Sequence, residues 1–312
     1  MILCLGPTPA LQRVMRFDRL QWHRVNRART TLDGVAGKAV NVAKVLHTLG
    51  ETPLLTGFLG GESGRRLEAE LHQRGLRQAW VRVPPPTRQC ITLVEEAGGV
   101  TELVEESRPV PPEAYDELAS VVEQHLPRCR ALIISGTLTP GAPPHFYARC
   151  IARARAQGVL TVVDTQRAAL QAALAARPTL VKPNRHELEA LLEQPLPDDT
   201  AVMRAMLTLH QQGAEVVLIT AGERPALLLE GGRFWQVQPP AIHALNPIGS
   251  GDALTAALVA RRLHGEPWPE ACRWGMAAGA ANALSWMPGE LEQHELERLL
   301  DQVRLLPLTP SP

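Results

Sequence analysis

The feature that most constrains this chain is a beat: short, unbroken apolar runs alternate with stretches of helical period. MILCLG precedes KAVNVAKVLHTLG, PLLTGFLG precedes GRRLEAELHQRG, ALIISG precedes PPHFYARCIARARAQG, LTVVDT precedes RAALQAALAA, and TLVKPN precedes HELEALLEQ, with EVVLIT further on. A strand that stays apolar at every position has both faces covered, and intervening helices of about 10–15 residues supply that cover. The pattern predicts an α/β fold with a doubly wound, mostly parallel sheet flanked by helices. At 312 residues the chain can bury a substantial core, as one large domain or two smaller ones.

Two segments break the beat. Residues 11–30 (LQRVMRFDRLQWHRVNRART) and 88–104 (TRQCITLVEEAGGVTELV, with Thr87 ahead of it) alternate polar and apolar residues, the second around a Gly-Gly turn. That is the pattern of antiparallel strands with one wet face, and it predicts a small sheet beside the main one. Proline-rich connectors, Pro84–Pro86 and RPVPP at 108–112, bracket the second insertion.

Charge narrows the function. Lys plus Arg and Asp plus Glu balance at 32 each, so no basic field is present to hold nucleic acid. No run approaches the roughly 18 apolar residues of a membrane span, and the start lacks a basic segment followed by an apolar core, so the expectation is a cytoplasmic protein with no membrane partner. Five scattered cysteines without CxxC spacing read as reduced thiols with no chemical role. A small polar substrate remains open.

The stretch ALNPIGSGDALTAALVARR (244–262) carries the densest chemistry. On one reading Asp252 is in a first helical turn because the helix dipole stabilises a negative charge there by about 0.3–1 kcal/mol. That leaves Gly249 and Gly251, on either side of Ser250, without a purpose, since a second glycine costs conformational entropy. On the other reading the glycines open the backbone so that successive N–H groups receive an anion, and Asp252 at the rim accepts a hydroxyl proton. VKPNRHELEALL (181–192) places Asn184 and Glu187 three apart, which fits both a helix capping box and hard oxygen ligands for magnesium. DGVAGKAVNVAKVLHTLG places Gly34, Gly37 and Lys38 just before a helix carrying Asn41. An ordinary turn with a solvated lysine explains it. However, the chain has only three lysines (Lys38, Lys44, Lys182), and two of them, Lys38 and Lys182, fall beside the candidate residues just named, as if a compact ammonium were wanted there.

Four segments in fixed order, AGKAVNVA, KPNRHEL, ITAGERPALLL and GSGDAL, resemble the PfkB, or ribokinase-like, family of carbohydrate kinases. TPALQ, TRQCITLVE and VTELVE are most similar to its branch of 1-phosphofructokinases, tagatose-6-phosphate kinases and minor 6-phosphofructokinases. The resemblance runs from about residue 3 to 300. It implies a single ribokinase-like domain over 1–312, with the insertions at about 11–30 and 88–104 forming a β-sheet lid that also serves as a homodimer contact. Asp252 is implied as the catalytic base, with the backbone of Gly249, Ser250 and Gly251 as the anion hole. Asn184 and Glu187 would organise Mg2+ and the ATP phosphates, with Lys182 beside them. Thr220 and Gly222 would lie near the nucleotide, whose adenine would rest on the helix bearing Met276, Ala277 and Ala280. On the sugar side, Gly37 and Asn41 would hold hydroxyls, and Arg88, helped by Lys38, the existing phosphate.

Four positions depart from the family pattern. Gln12 replaces a common aspartate that grips sugar hydroxyls, Ala39 a glycine, Pro247 a threonine and Pro225 a glycine. An amide offers one acceptor and one donor where a carboxylate offers two acceptors, so Gln12 should read a different hydroxyl pattern or bind more weakly. The expectation is an ATP- and magnesium-dependent kinase of a phosphorylated ketohexose, fructose 1-phosphate ahead of fructose 6-phosphate and tagatose 6-phosphate. The competing readings are a catalytically weak sugar-phosphate sensor and a kinase of an unphosphorylated sugar or nucleoside.

Overall fold

The structure is a computed structural model that describes residues 1–96 and 98–308. Ala97, inside the second alternating insertion, and Thr309–Pro312 lie outside the described residues. The apolar runs form the centre of a ten-stranded sheet among the described residues. From one edge its order is Arg77–Gln78, Pro53–Thr56, Ile2–Leu5, Ala131–Ser135, Leu160–Asp164, Leu180–Val181 and Val216–Ala221, all parallel, then Arg224–Glu230, Arg233–Gln238 and Arg304–Leu308, antiparallel. The fold is the doubly wound, mostly parallel α/β arrangement expected from the sequence.

Alternation within the strands explains why they read as apolar throughout. Ile2, Cys4, Ala131 and Ile133 point to one face, where they pack with the helices Lys38–Thr48, Gly61–Gln73, Ser250–Leu263, Trp268–Ala283 and Gln293–Leu300. Leu3, Leu5, Leu132 and Ile134 point to the other, against Pro112–His125, Phe146–Ala156, Arg167–Ala175, Arg185–Leu192 and Asp199–Gln211. Two cores therefore share one sheet, and each period-two set of side chains belongs to one of them. Among the described residues no helix is long and apolar enough to cross a membrane.

A second, four-stranded sheet has the order Thr30–Ala36, Ala10–Phe17, Arg88–Glu95, Val100–Val104. Its outer pairs are antiparallel, but the inner pair, Ala10–Phe17 with Arg88–Glu95, is parallel, because it joins two separate hairpin-like excursions of the chain. The strand after the first excursion begins at Thr30, where the alternating segment was expected to end, and carries Gly34 opposite Gln12. Glycine disguised that strand as a loop. The face bearing Val14 and Val94 packs on Trp286 and Met287, in the turn after the helix Trp268–Ala283.

That turn is the crossing point of the molecule near its cleft. At Gly289 the backbone has φ 70°, and an added Cβ would lie 2.6 Å from Asn41 Cα. Gly232, in the tight turn between two sheet strands, has φ 77° with open space around it. Both glycines occupy the left-handed region, where an L side chain costs about 1–2 kcal/mol, but only Gly289 adds a backbone collision. Gly289→Ala should therefore destabilise more than Gly232→Ala by about 1–3 kcal/mol in urea unfolding.

Candidate active site

A cleft of about 1410 Å³ runs along the C-terminal ends of the parallel strands, where open α/β sheets gather their ligands. Sites for one small molecule are about 300–1,000 Å³, so two ligands fit side by side. The second sheet roofs one half: Ala10 and Gln12, Arg88 and Cys90, Glu102 and Val104 line it, each pair two residues apart and hence on one face. Thr220, Gly222, Pro225, Met276 and Ala280 line the other half.

Between the halves lies Asp252, in the first turn of the helix Ser250–Leu263, after Gly249 in the left-handed conformation at φ 85°. Its side chain is buried, and Asn41 Nδ2 donates to Oδ2 at 2.7 Å. Burial raises the Asp252 carboxyl to about 7. Lys38 pulls against that rise and Asp164 adds to it, while the Asn41 hydrogen bond and Lys182 lower it. A carboxyl that titrates near neutrality can take a proton and later release it.

Asp164, at the end of the strand Leu160–Asp164, is the residue that sequence reasoning missed. Its two oxygens divide between two lysines: Lys38 Nζ is 2.9 Å from Oδ1 and Lys182 Nζ is 3.0 Å from Oδ2. Burial alone would raise this carboxyl, but Lys182 and Lys38 outweigh it and hold the acid below its ordinary range. Burial likewise works against the Lys38 ammonium, yet Asp164, Glu187 and Asp252 keep it charged. The one sequence signal was a polar residue closing an apolar strand, a place that any α/β chain fills many times.

Asn184 and Glu187 form a complete capping box. Glu187 N donates to Asn184 Oδ1 at 2.9 Å, and Asn184 N donates to Glu187 Oε2 at 2.8 Å. Glu187 Oε1 remains turned to Lys38 at 3.6 Å, and both residues line the cleft. No group of three or more His, Cys, Asp or Glu gathers as a metal cage among the described residues. Magnesium asks for less: it keeps much of its water and takes one or two carboxylates plus substrate phosphates. Glu187 Oε1, outside the capping box and beside Lys38, fits that requirement.

The amide cluster is partly spent. Ser250 N donates to Pro247 O and Asp252 N to Gly249 O, both at 3.1 Å, whereas the N–H groups of Gly249 and Gly251 have no acceptor among the described residues. Ser250 therefore offers the cleft a hydroxyl and not its amide. Asn282, wholly buried, donates to Ser250 Oγ at 3.3 Å and to Ile248 O at 2.9 Å.

On the sugar side, Gly37 opens the helix Lys38–Thr48 at φ 109° and, with Lys38, Asn41, Gln12 and Arg88, lines the cleft. Gln12 Nε2 donates to Thr92 Oγ1 at 2.9 Å, which leaves its carbonyl oxygen as the group offered outward. Arg88 Nη2 reaches Thr8 O at 3.1 Å, while its Nε, like Asn41 Oδ1, is buried without a hydrogen-bond partner among the described residues. Ala277 is not brought to the cleft. It is fully buried in the helix-facing core, and the lining positions Met276, Gly279, Ala280 and Ala283 follow the three-and-four spacing of one helix face that excludes it.

The chain is similar to known proteins along nearly its whole length. A tagatose-6-phosphate kinase of Staphylococcus epidermidis is 28% identical over 309 residues, 98% of this chain and 99% of that one. The crystal structure of phosphofructokinase-2 from Escherichia coli in complex with substrates and products superposes with TM-score 0.87 at 26% identity, covering 96% of this chain and 98% of that one. A Thermotoga maritima protein described as a possible 1-phosphofructokinase shares the fold with TM-score 0.91 at 21% identity, over 99% of both chains. The profile of the pfkB family carbohydrate kinases matches residues 3–288, and the chain belongs to that family.

Proposed function

We propose that this carbohydrate kinase transfers the γ-phosphoryl group of ATP to a hydroxyl of a phosphorylated ketohexose, with Asp252 as general base. The observation that carries the reading is Asp252 itself: a buried carboxyl raised to about 7, between the two halves of a two-ligand cleft, beside free helix-start amides. The carboxylate takes the acceptor hydroxyl's proton as that oxygen bonds to the γ-phosphorus, and the bond to the β-phosphate oxygen breaks to release ADP. Gly249 and Gly251 N–H groups receive charge on the moving phosphoryl oxygens. Lys38 and Lys182, steadied by Asp164, flank the same point. Magnesium, held through Asn184 and Glu187 and its own water, would neutralise phosphate charge when bound.

The sugar would lie under the second sheet, with Asn41 and Gln12 at its hydroxyls and Arg88 at its existing phosphate. Adenine would lie between Thr220, Gly222 and the Met276–Ala280 face. The full-length likeness to proteins named tagatose-6-phosphate kinases moves tagatose 6-phosphate level with fructose 1-phosphate as the acceptor. The second sheet serves as a lid and a homodimer contact: Trp22 and Val25 are 84% and 80% exposed beside it, and Leu103 is 48% exposed on its edge strand, an apolar surface suited to a second copy.

A panel of fructose 1-phosphate, fructose 6-phosphate, tagatose 6-phosphate and the free ketohexoses with ATP and magnesium tests the reading through ADP release. Binding of a sugar phosphate with no ADP from any of them would instead identify a sensor. Asp252→Asn should lower kcat by about 10²–10⁴-fold with KM values little changed. Arg88→Ala should raise KM for the phosphorylated sugar at least about tenfold and leave that for a free sugar unaltered.

Two pH effects arise from the raised Asp252 carboxyl. Since the base works only when ionised, kcat/KM should fall with decreasing pH through about 7, roughly tenfold per unit on the acid side. A folded-state value raised above the unfolded one stabilises the fold fully only at low pH, and that contribution is lost as pH rises through about 7. Asp252→Asn should therefore melt above the parent protein, with a gap that widens from pH 4 to 7 and then levels. A melting temperature below the parent's at pH 8 would contradict the burial penalty.

A further inference from the structure

The turn that presents Gly249 is gripped at a single peptide on each side. Asn246 Oδ1 accepts from Ile248 N at 3.1 Å, and Asn282 Nδ2 donates to Ile248 O at 2.9 Å. Both amides also reach across to the turn 284–289. Asn246 Nδ2 donates to Trp286 O at 2.8 Å, and Asn282 Oδ1 accepts from Gly289 N at 2.8 Å. Asn282 Nδ2 additionally donates to Ser250 Oγ at 3.3 Å. Neither side chain is solvated: Asn246 is 1% exposed and Asn282 fully buried. Neither touches the space where substrates bind, for neither lines the cleft.

The far turn is itself fixed against the reacting groups. Gly289 lies against Asn41, the donor to Asp252, and Lys44 Nζ donates to Pro288 O at 2.6 Å. Pro288 and Gly289 also lie so close to Gly249 that a Cβ there would be 3.0 Å from each. The phosphate-facing turn, the far turn and the Asn41–Asp252 pair thus form one closed block, in which two asparagines supply the side-chain cross-ties between the two turns.

The geometry points to Asn246 and Asn282 as positioning residues for phosphoryl transfer: their amides hold the free N–H groups of Gly249 and Gly251 in register with Asp252. This rests on the reading of Asp252 as base. Donors that stabilise a transition state act by being fixed in advance, so loosening them should lower turnover more than ground-state binding. A carboxylate could not replace either residue, because each site needs a donor and an acceptor on one planar group.

The test uses the full chain with MgATP and whichever of fructose 1-phosphate, fructose 6-phosphate and tagatose 6-phosphate it phosphorylates fastest. Asn282→Leu keeps volume and removes all three bonds; Asn246→Ala removes the second tie at a separate point. For each, kcat per folded molecule should fall at least about tenfold, while KM for ATP and for the sugar phosphate stays within about threefold. Unchanged kcat with a lowered melting temperature would overturn the assignment and make the amides purely structural. So would a rise in both KM values at constant kcat, or failure of both variants to fold. Asp252→Asn, measured alongside, separates the two levels of inference. If it is inactive while the asparagine variants keep full turnover, only the positioning role fails; if it is active, the reading of the base fails.

Discussion

The active-site cleft depends on one carboxylate shared by two ammonium groups. Lys38 comes from the helix that succeeds the second sheet's strand Thr30–Ala36, and Lys182 from the loop that leads into the capped helix Arg185–Leu192. They belong to opposite halves of the site. Asp164 holds both within 3.0 Å, buried where an unpaired charge would be costly. Glu187, 3.6 Å from Lys38, offsets the second ammonium, so the two lysines are matched by two carboxylates. Both ammonium groups work against the burial of Asp252, so that the acid titrates near neutrality and not far above it. Removing either lysine would thus leave Asp164 half-paired and raise the Asp252 carboxyl further.

This arrangement explains why the family's short motifs are far apart in sequence. Each parallel strand delivers its C-terminal end to one line, and each motif is simply the stretch that leaves a strand or opens a helix there. The second sheet supplies what the strand ends cannot, a surface of alternate residues facing down on one half of the cleft. Its own anchor is the turn 284–289, through Trp286 and Met287. The second sheet, the Asn41–Asp252 pair and the turn at Gly249 therefore all pack on the six residues 284–289, which makes that turn the mechanical link between them.

The legible part of the sequence was local. Apolar runs at strand length between helical stretches pointed to the doubly wound sheet, because both faces of such strands must be covered. Gly249, Gly251 and Asp252 stood out since glycines beside an acid at a helix start have few purely structural uses, and Asn184 with Glu187 did so through their spacing. Asp164 did not stand out, because its meaning lies in Lys38 and Lys182, remote in sequence. Asn246 and Asn282 were equally silent: asparagine before proline reads as a turn, and asparagine among alanines reads as nothing. Gly34 misled, since a glycine within a strand looks like a loop until Gln12 is seen opposite it. Ala277 misled for the converse reason. A motif assigned to a whole helix cannot say which of its faces meets the ligand, and the spacing of Met276, Gly279, Ala280 and Ala283 decides it.

Gln12 shows how far a substitution in such a site is absorbed by its surroundings. An aspartate at that point would add a second carboxylate to the roof, which Glu102 also lines. The amide instead anchors itself to Thr92 across the parallel pair of strands and presents a single oxygen. The exchange trades one acceptor for a tie within the roof. Arg88 moves the balance the other way. Its Nη2 is engaged by the Thr8 carbonyl but its Nε is buried and unpaired among the described residues, a donor left without an acceptor. On the proposed reading, a roof whose amide is already tied and whose guanidinium keeps an unpaired donor would select an acceptor by its charged end.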